Sequence, residues 1–423
     1  MDQGNTGFLL ICAALVMLMT PGLAFFYGGM VKAKSVISMM MLSFGSLGII
    51  SVLWVVFGYA ISFANAGVGN FIGIDGVFGI DLSSIGLDRQ VNALNIYGNG
   101  HPEMAFVAFQ ATFAIITVAV ISGAIADRAK YGAWLVFAAF WATLVYFPVA
   151  NWVFNYTTDG HGVVIDGGWL VYNLHVIDFA GGTAVEINAG AAGLALAMVL
   201  GKRFGFSKGI QQPHNVPITL IGAGLLWFGW FGFNAGSELM ADGVASLAFI
   251  NTMVAPAAAM IGWAIVEYFK HGKATAIGAA SGAIAGLVAI TPACAALHPI
   301  WAIILGLITG AVCELAIDLK FALGFDDSLD VVGIHLVGGL IGTLYIGIFG
   351  NGVGAAFGFG WHQFFMQAIA AVAVLVYSFG ISYVIGFAIE KTMGFRVKAE
   401  DEIAGIDTIV HGEEAYAFAN DRM

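Results

Sequence analysis

Eleven apolar stretches, separated by short polar segments, restrict this chain to very few folds. They begin near Thr6, Val36, Met104, Tyr131, Phe179, Val216, Ala245, Ala274, Pro299, Val331 and Phe364. Each reaches the about 20 residues that a helix needs to cross a ~30 Å hydrocarbon core. No water satisfies backbone N–H and C=O groups inside that core, so long apolar spans must be helical, with their hydrogen bonds closed internally. The composition agrees, with 60% of residues hydrophobic and only 10% charged, against roughly 25% charged in soluble domains. The expected class is an all-α, multi-pass integral protein of the inner or plasma membrane.

Lysine and arginine set the orientation, because cytoplasmic loops carry the positive excess. Lys32 and Lys34 follow the first span, Arg128 and Lys130 the third, and Lys202, Arg203 and Lys208 the fifth. Lys270 and Lys273 follow the seventh, Lys320 the ninth, and Lys391, Arg396, Lys398 and Arg422 the eleventh. Only Arg89 falls on the other side. This alternation predicts eleven transmembrane helices with the N-terminus outside and the C-terminus cytoplasmic. The start, MDQGNTGF, has no basic residue, so the first span reads as retained and not as a cleaved signal peptide. Residues 1–390 form the expected membrane domain and residues 391–423 a cytoplasmic tail.

Several function classes drop out. The net charge is -11, which argues against a nucleic-acid partner. Cys12, Cys294 and Cys313 lie in apolar runs without metal-ligand spacing, and neither His161 nor His175 sits in an HExxH pattern. No metal, cofactor or enzyme activity is expected. Asn155-Tyr156-Thr157 is formally a glycosylation sequon, read here as a chance match. It opens one of the two long loops, 64–102 and 156–176, both expected outside.

Two ionisable groups sit where a bilayer disfavours them, Glu186 in DFAGGTAVEINAG and His335 in DDSLDVVGIHLVGG. Such groups usually mark a substrate or proton pathway. Five spans plus five plus one suggests an inverted repeat, a design that places substrate sites near the midplane. Glu186 then falls in the last helix of the first half and His335 in the last helix of the second. Ala189, Gly190 and Gly193 follow Glu186 at the offsets where Gly338, Gly339 and Gly342 follow His335. Those offsets share one helical face, and small residues there permit close helix approach. Both polar groups should therefore point into the protein.

The segments TPGLAFFYGG, AFQATFAIIT, DFAGGTAVEINAG, GWFGFNAGS, SGAIAGLVAITPAC, DDSLDVVGIH and GIDTIVHGEEAY run in this order along nearly the whole chain. Together they resemble the ammonium transporter family of Amt, Mep and Rh proteins. The resemblance implies transmembrane ammonium transport by a homotrimer with one pore per subunit, with ammonium or ammonia as substrate and methylammonium as an analogue. It assigns Phe113 and Phe233 to a stacked phenylalanine gate, and Ser237, supported by Asp178, to an outer recruitment site. His335 matches the second member of the pore's histidine pair, whose first member is replaced here by Glu186. At the outer mouth, PVANWVF aligns Phe154 with the family's tryptophan, with Trp152 two residues before it. Gln110 and Tyr27 are expected to support these groups. The tail resembles the family's regulatory C-terminus, which in bacteria and archaea acts beside a PII-type trimer at the cytoplasmic face.

The pore chemistry follows from desolvation. A dry phenyl-lined passage rejects cations and admits neutral ammonia. The proton then needs an acceptor, and Glu186 and His335 form a coupled pair able to carry it, so that net charge moves inward. Two alternatives remain open: less selective ammonium and potassium conduction favoured by the Glu186 charge, and an ammonium sensor with little flux.

Overall fold

The computed structural model describes residues 1–66, 69–95, 99–159, 163–206 and 212–416. Lys208, Arg422 and His161 lie outside the described residues. Helices α1 (Gln3–Met30), α2 (Val36–Ser62), α3 (Glu103–Ile125), α4 (Tyr131–Phe154), α5 (Gly182–Leu200), α6 (Val216–Gly236) and α7 (Gly243–His271) are followed by α8 (Ala276–Ile290). Then come α9 (Pro299–Leu323), α10 (Val332–Phe349) and α11 (His362–Thr392). Ten of these are long and apolar enough to cross a membrane, and α8, at 15 residues, is shorter. Pro292 explains its early end, since proline disfavours a helical residue before it and supplies no N–H. The freed Pro292 carbonyl accepts from the N–H of Phe179 at 3.2 Å, so the break ties α8 to the start of α5.

Local sequence sets where the helices begin. Asp2, Asn215, Asp242 and Thr275 each turn a side-chain oxygen onto the first N–H groups of α1, α6, α7 and α8, which otherwise lack partners. Between the helices the small residues decide the packing. A Cβ on Gly222 of α6 would lie 2.1 Å from the backbone nitrogen of Phe26, and one on Gly29 of α1 2.3 Å from Thr219 Oγ1. A Cβ on Gly190 of α5 would lie 2.5 Å from Leu336 N, and one on Gly339 of α10 2.9 Å from Glu186 Cβ. The two predicted small-residue faces thus meet each other at Gly190 and Gly339. Gly338 and Gly342 serve a different neighbour, packing on Val288 and on the Ala289 carbonyl of α8.

The long loops fold into two hairpins, β1 (Phe71–Ile74) with β2 (Phe78–Asp81), and β3 (Tyr156–Thr158) with β4 (Val164–Gly167). A hydrogen bond from Trp169 N to Gly76 O joins them. Asn155 is 2% exposed and donates to the Ala64 carbonyl at 2.7 Å, which leaves the sequon inaccessible. The three cysteines are buried and unbridged.

Charged groups gather at the opposite end. Arg203 clasps Asp326 through Nε and Nη2, Arg128 donates to the Asp326 carbonyl at 2.6 Å, Lys320 pairs with Asp330, and Arg396 with Glu402. Burial pushes the Arg128 guanidinium down to about 10. Lys270, at the end of α7, pairs with Glu314 and Asp318 of α9. Two short helices follow, α12 (Ala399–Ala404) and α13 (Asp407–His411), and the tail closes over this end. The Asp407 carboxylate accepts from the N–H groups of Ile37 and Ser38 at 3.1 and 2.8 Å, capping α2 from 370 residues away in sequence. Asp407→Ala should therefore cost about 1–2 kcal/mol locally. The check is amide exchange at Ile37 and Ser38, which should speed up about tenfold while the middle of α2 is unchanged.

Candidate functional site

Glu186 and His335 meet at the crossing of α5 and α10. His335 Nδ1 stands 2.6 Å from Glu186 Oε2, with His335 4% and Glu186 1% exposed. Each lies in a π-helical turn that opens its helix, Gly182–Ile187 in α5 and Val332–Leu336 in α10. Such turns often occur at functional positions because they redirect a side chain from the regular helical stagger.

Each turn is capped by an aspartate eight residues before the polar group. Asp178 accepts from the N–H groups of Gly181, Gly182 and Thr183 at 2.8, 2.6 and 2.8 Å, from Ala184 at 3.3 Å, and from the Thr183 hydroxyl. Asp327 accepts from Val331 and Val332 at 3.1 and 2.7 Å. From the sequence alone Asp330, which follows Asp326-Asp327-Ser328, is the expected cytoplasmic helix cap. The structure instead turns the Asp330 side chain to Lys320 Nζ at 2.5 Å, because a φ of 62° directs it away from the helix axis. Burial, then the charge of Asp330, raises the Asp327 carboxyl to about 6. The matching offset from Asp178 to Glu186 was the signal that would have identified it.

A narrow cavity of about 10 Å³ joins Glu186 and His335 to Val185, Leu226, Trp230 and Phe233. That is room for about one water-sized molecule, and its other walls are apolar. Phe233 stacks on Phe113 with ring centroids 4.1 Å apart and 17° between planes. Phe113 in turn meets the Phe154 ring edge-on at 6.2 Å. Beyond this pair a wide vestibule of about 470 Å³ opens, lined by Phe106, Gln110, Phe154, Asp178, Ser237 and Glu238. The stacked rings therefore divide a large polar-edged chamber from a small, mostly apolar one.

The predicted residues divide accordingly. Ser237 ends α6 and donates back to the Phe233 carbonyl at 2.8 Å, which leaves its oxygen lone pairs free to accept. Gln110 lines the vestibule with its amide oxygen unpaired. Tyr27 donates at 3.0 Å to the carbonyl of Val120, a residue that lines the narrow cavity. Trp152 is not brought to the vestibule wall: its indole N–H donates to Val77 O at 2.5 Å, and its ring packs on Trp169 and Tyr377. Two residues along a helix place side chains on opposing sides, so Phe154 faces the chamber and Trp152 does not. Glu238 was missed, although it directly follows Ser237. Among the described residues no cluster of His, Cys, Asp or Glu could hold a metal ion.

Residues 7–416 match the family model described as Ammonium Transporter Family. An ammonium transporter of Mycobacterium tuberculosis (strain ATCC 25618 / H37Rv) is 51% identical over 438 residues, covering 99% of this chain and 91% of the relative. Among solved structures, a sensor Amt protein superposes with a TM-score of 0.85 at 29% identity, over 96% of this chain and 98% of that one. Mep2 of Saccharomyces cerevisiae gives 0.83 at 32% identity, over 95% and 88%. The transmembrane architecture, the paired polar groups behind stacked rings and this likeness along the full length converge: the chain belongs to the ammonium transporter family.

Proposed function

We propose that this multi-pass membrane ammonium transporter works by deprotonation at the Glu186–His335 pair. The observation that carries the proposal is the 2.6 Å contact between the two side chains in an apolar cavity directly behind the Phe113–Phe233 stack. Ammonium collects outside that stack against the Phe154 ring face and the Ser237 oxygen, with the Asp178 carboxylate and Gln110 amide oxygen nearby. A bare cation passing the rings would lose its hydration and meet the Glu186 carboxylate as the one anionic group, among the described residues, lining the narrow cavity. Giving a proton to the Glu186 carboxylate turns ammonium into neutral ammonia and the carboxylate into a neutral acid, so charge balances. Ammonia continues along the apolar passage. The proton moves on to His335, whose ring nitrogens can accept on one side and release on the other, and Tyr27 holds the wall beneath them.

The wider architecture is inferred in the same terms. The pairing of Lys270 with Glu314 and Asp318 brings the ends of α7 and α9 together, which requires α8 to return across the membrane and supports eleven spans. Asp178 and Asp327, each eight residues before a pore group, support a five-plus-five inverted repeat with one added helix. The basic groups clustered beneath the tail support a cytoplasmic C-terminus and an outside N-terminus. A homotrimer, a regulatory tail from Lys391 and a PII-type partner at that face complete the proposal.

Ammonium and potassium pulses on proteoliposomes test it. Ammonium should evoke inward current and potassium about tenfold less or lower; ammonium binding without flux would instead identify a sensor. Because Glu186 places a carboxylate where it could stabilise an intact cation, a second reading is mixed ammonium and potassium conduction. Equal potassium and ammonium currents, restored to ammonium preference by Glu186→His, would establish that reading.

A further inference from the structure

Glu238 has no role in the chemistry above. It follows Ser237 in the loop between α6 and α7, and it lines the vestibule together with Phe154, Asp178 and Gln110. Among the described residues its carboxylate has neither a hydrogen-bond nor an ion-pair partner. Asp178 differs, because its oxygens are already committed to the first N–H groups of α5. On the same cavity wall Gln110, 6% exposed, leaves its amide oxygen unpaired. A half-buried anion and a buried acceptor, both unpartnered and facing one chamber, suit a small cation with several N–H donors.

We propose that Glu238 is the anionic collecting group of the vestibule, concentrating ammonium ahead of Phe154 and Ser237, and that its protonation weakens collection as the outside turns acidic. The inference rests on the vestibule being the outer recruitment site. It also explains how the chain manages with a phenyl ring at Phe154, a poorer cation-π face than indole. A carboxylate attracts from farther away and from any direction.

Burial, then the charge of Asp242, raises the Glu238 carboxyl to about 7. Other titratable groups approach it from the surrounding elements. Asp178 precedes α5, Tyr156 stands on β3 with its phenol pushed up by burial, and the buried thiol of Cys294 lies behind, also pushed up by burial. The start of α1, with Asp2, meets the loop where Asn5 Oδ1 accepts from Ala241 N at 3.0 Å. His101, sealed into the loop beside Asn99, is held below 6.5 by burial. No lysine or arginine lines the cavity among the described residues. Burial therefore makes Glu238 a chamber group whose negative charge fades as the outside turns acidic.

The test is methylammonium uptake by proteoliposomes at low ionic strength, with external pH 8 and 5.5, on the wild type, Glu238→Gln, Glu238→Asp and Ser237→Ala. Wild-type KM should rise about five- to tenfold at pH 5.5, with little change in maximal rate. Glu238→Gln should show the acid-side KM at both pH values, and Glu238→Asp should keep the pH dependence. A wild-type KM that ignores pH, or a Glu238→Gln variant with the wild-type profile, overturns the proposal. If Glu238→Gln does not fold, the wild-type and Glu238→Asp profiles decide. Ser237→Ala separates the two levels: a KM unmoved by Ser237→Ala counts against the recruitment site itself. A KM raised by Ser237→Ala but not by Glu238→Gln removes Glu238 alone.

Discussion

Replacing Glu186 and His335 together by leucine is expected to lower ammonium-evoked current about 100-fold or more, the usual effect of removing positioned proton acceptors. The fold should survive. Exchanging a buried polar pair for apolar residues of similar volume is often neutral or stabilising, and the surrounding walls, Val185, Leu226 and Trp230, are already apolar. Uncharged ammonia should still pass, read as alkalinisation of the vesicle lumen without current. Electrophysiology and an entrapped pH dye on the same proteoliposomes measure both quantities. Undiminished current in the double variant would mean that the proton does not travel through this pair.

Asp178→Ala should be the most damaging single change to the fold near the site. It strands the N–H groups of Gly181, Gly182, Thr183 and Ala184 and the Thr183 hydroxyl in a buried place. Hydrogen bonds to a charged acceptor contribute roughly 1.5–3 kcal/mol each, and stranded donors cost about as much. A loss of at least ~4 kcal/mol is expected, seen as a steep drop in thermal unfolding temperature in detergent and in yield of folded protein. Asp178→Asn, which keeps one acceptor oxygen, should lose about half as much. The equivalent change at Asp327, with only two N–H partners, should be milder. If Asp178→Ala unfolds like the wild type while ammonium KM rises, the carboxylate serves the substrate more than the helix.

Much of the architecture was legible because the bilayer permits so few alternatives. The starts predicted for the spans fall within a few residues of the observed helices, since span length and apolar content are read directly from the chain. The eighth stretch came out shorter than expected because Pro292 ended it, a local effect that hydropathy does not register. The site was legible to a lesser degree. Glu186 and His335 were conspicuous as polar residues in apolar runs, and Phe113, Phe233 and Ser237 by motif alone. Trp152 was misplaced because proximity in sequence does not say which side of α4 a residue occupies. Asp330 was mistaken for a cap because three acidic residues compete within five positions and only backbone direction chooses among them. Glu238 was overlooked because a lone carboxylate in a loop ordinarily faces solvent.

By itself the sequence determined the membrane class, the helical spans, the alternation of charge and the polar pair, because hydration energies act on each residue whatever its neighbours. Tertiary structure alone decided what those residues meet. It brought Glu186 within 2.6 Å of His335 across 149 positions, laid Phe113 over Phe233, and turned Glu238 into a shared chamber without a partner among the described residues. Contacts of this kind depend on how glycine faces such as Gly190 and Gly339 let backbones approach, a property of two helices together that neither segment carries alone.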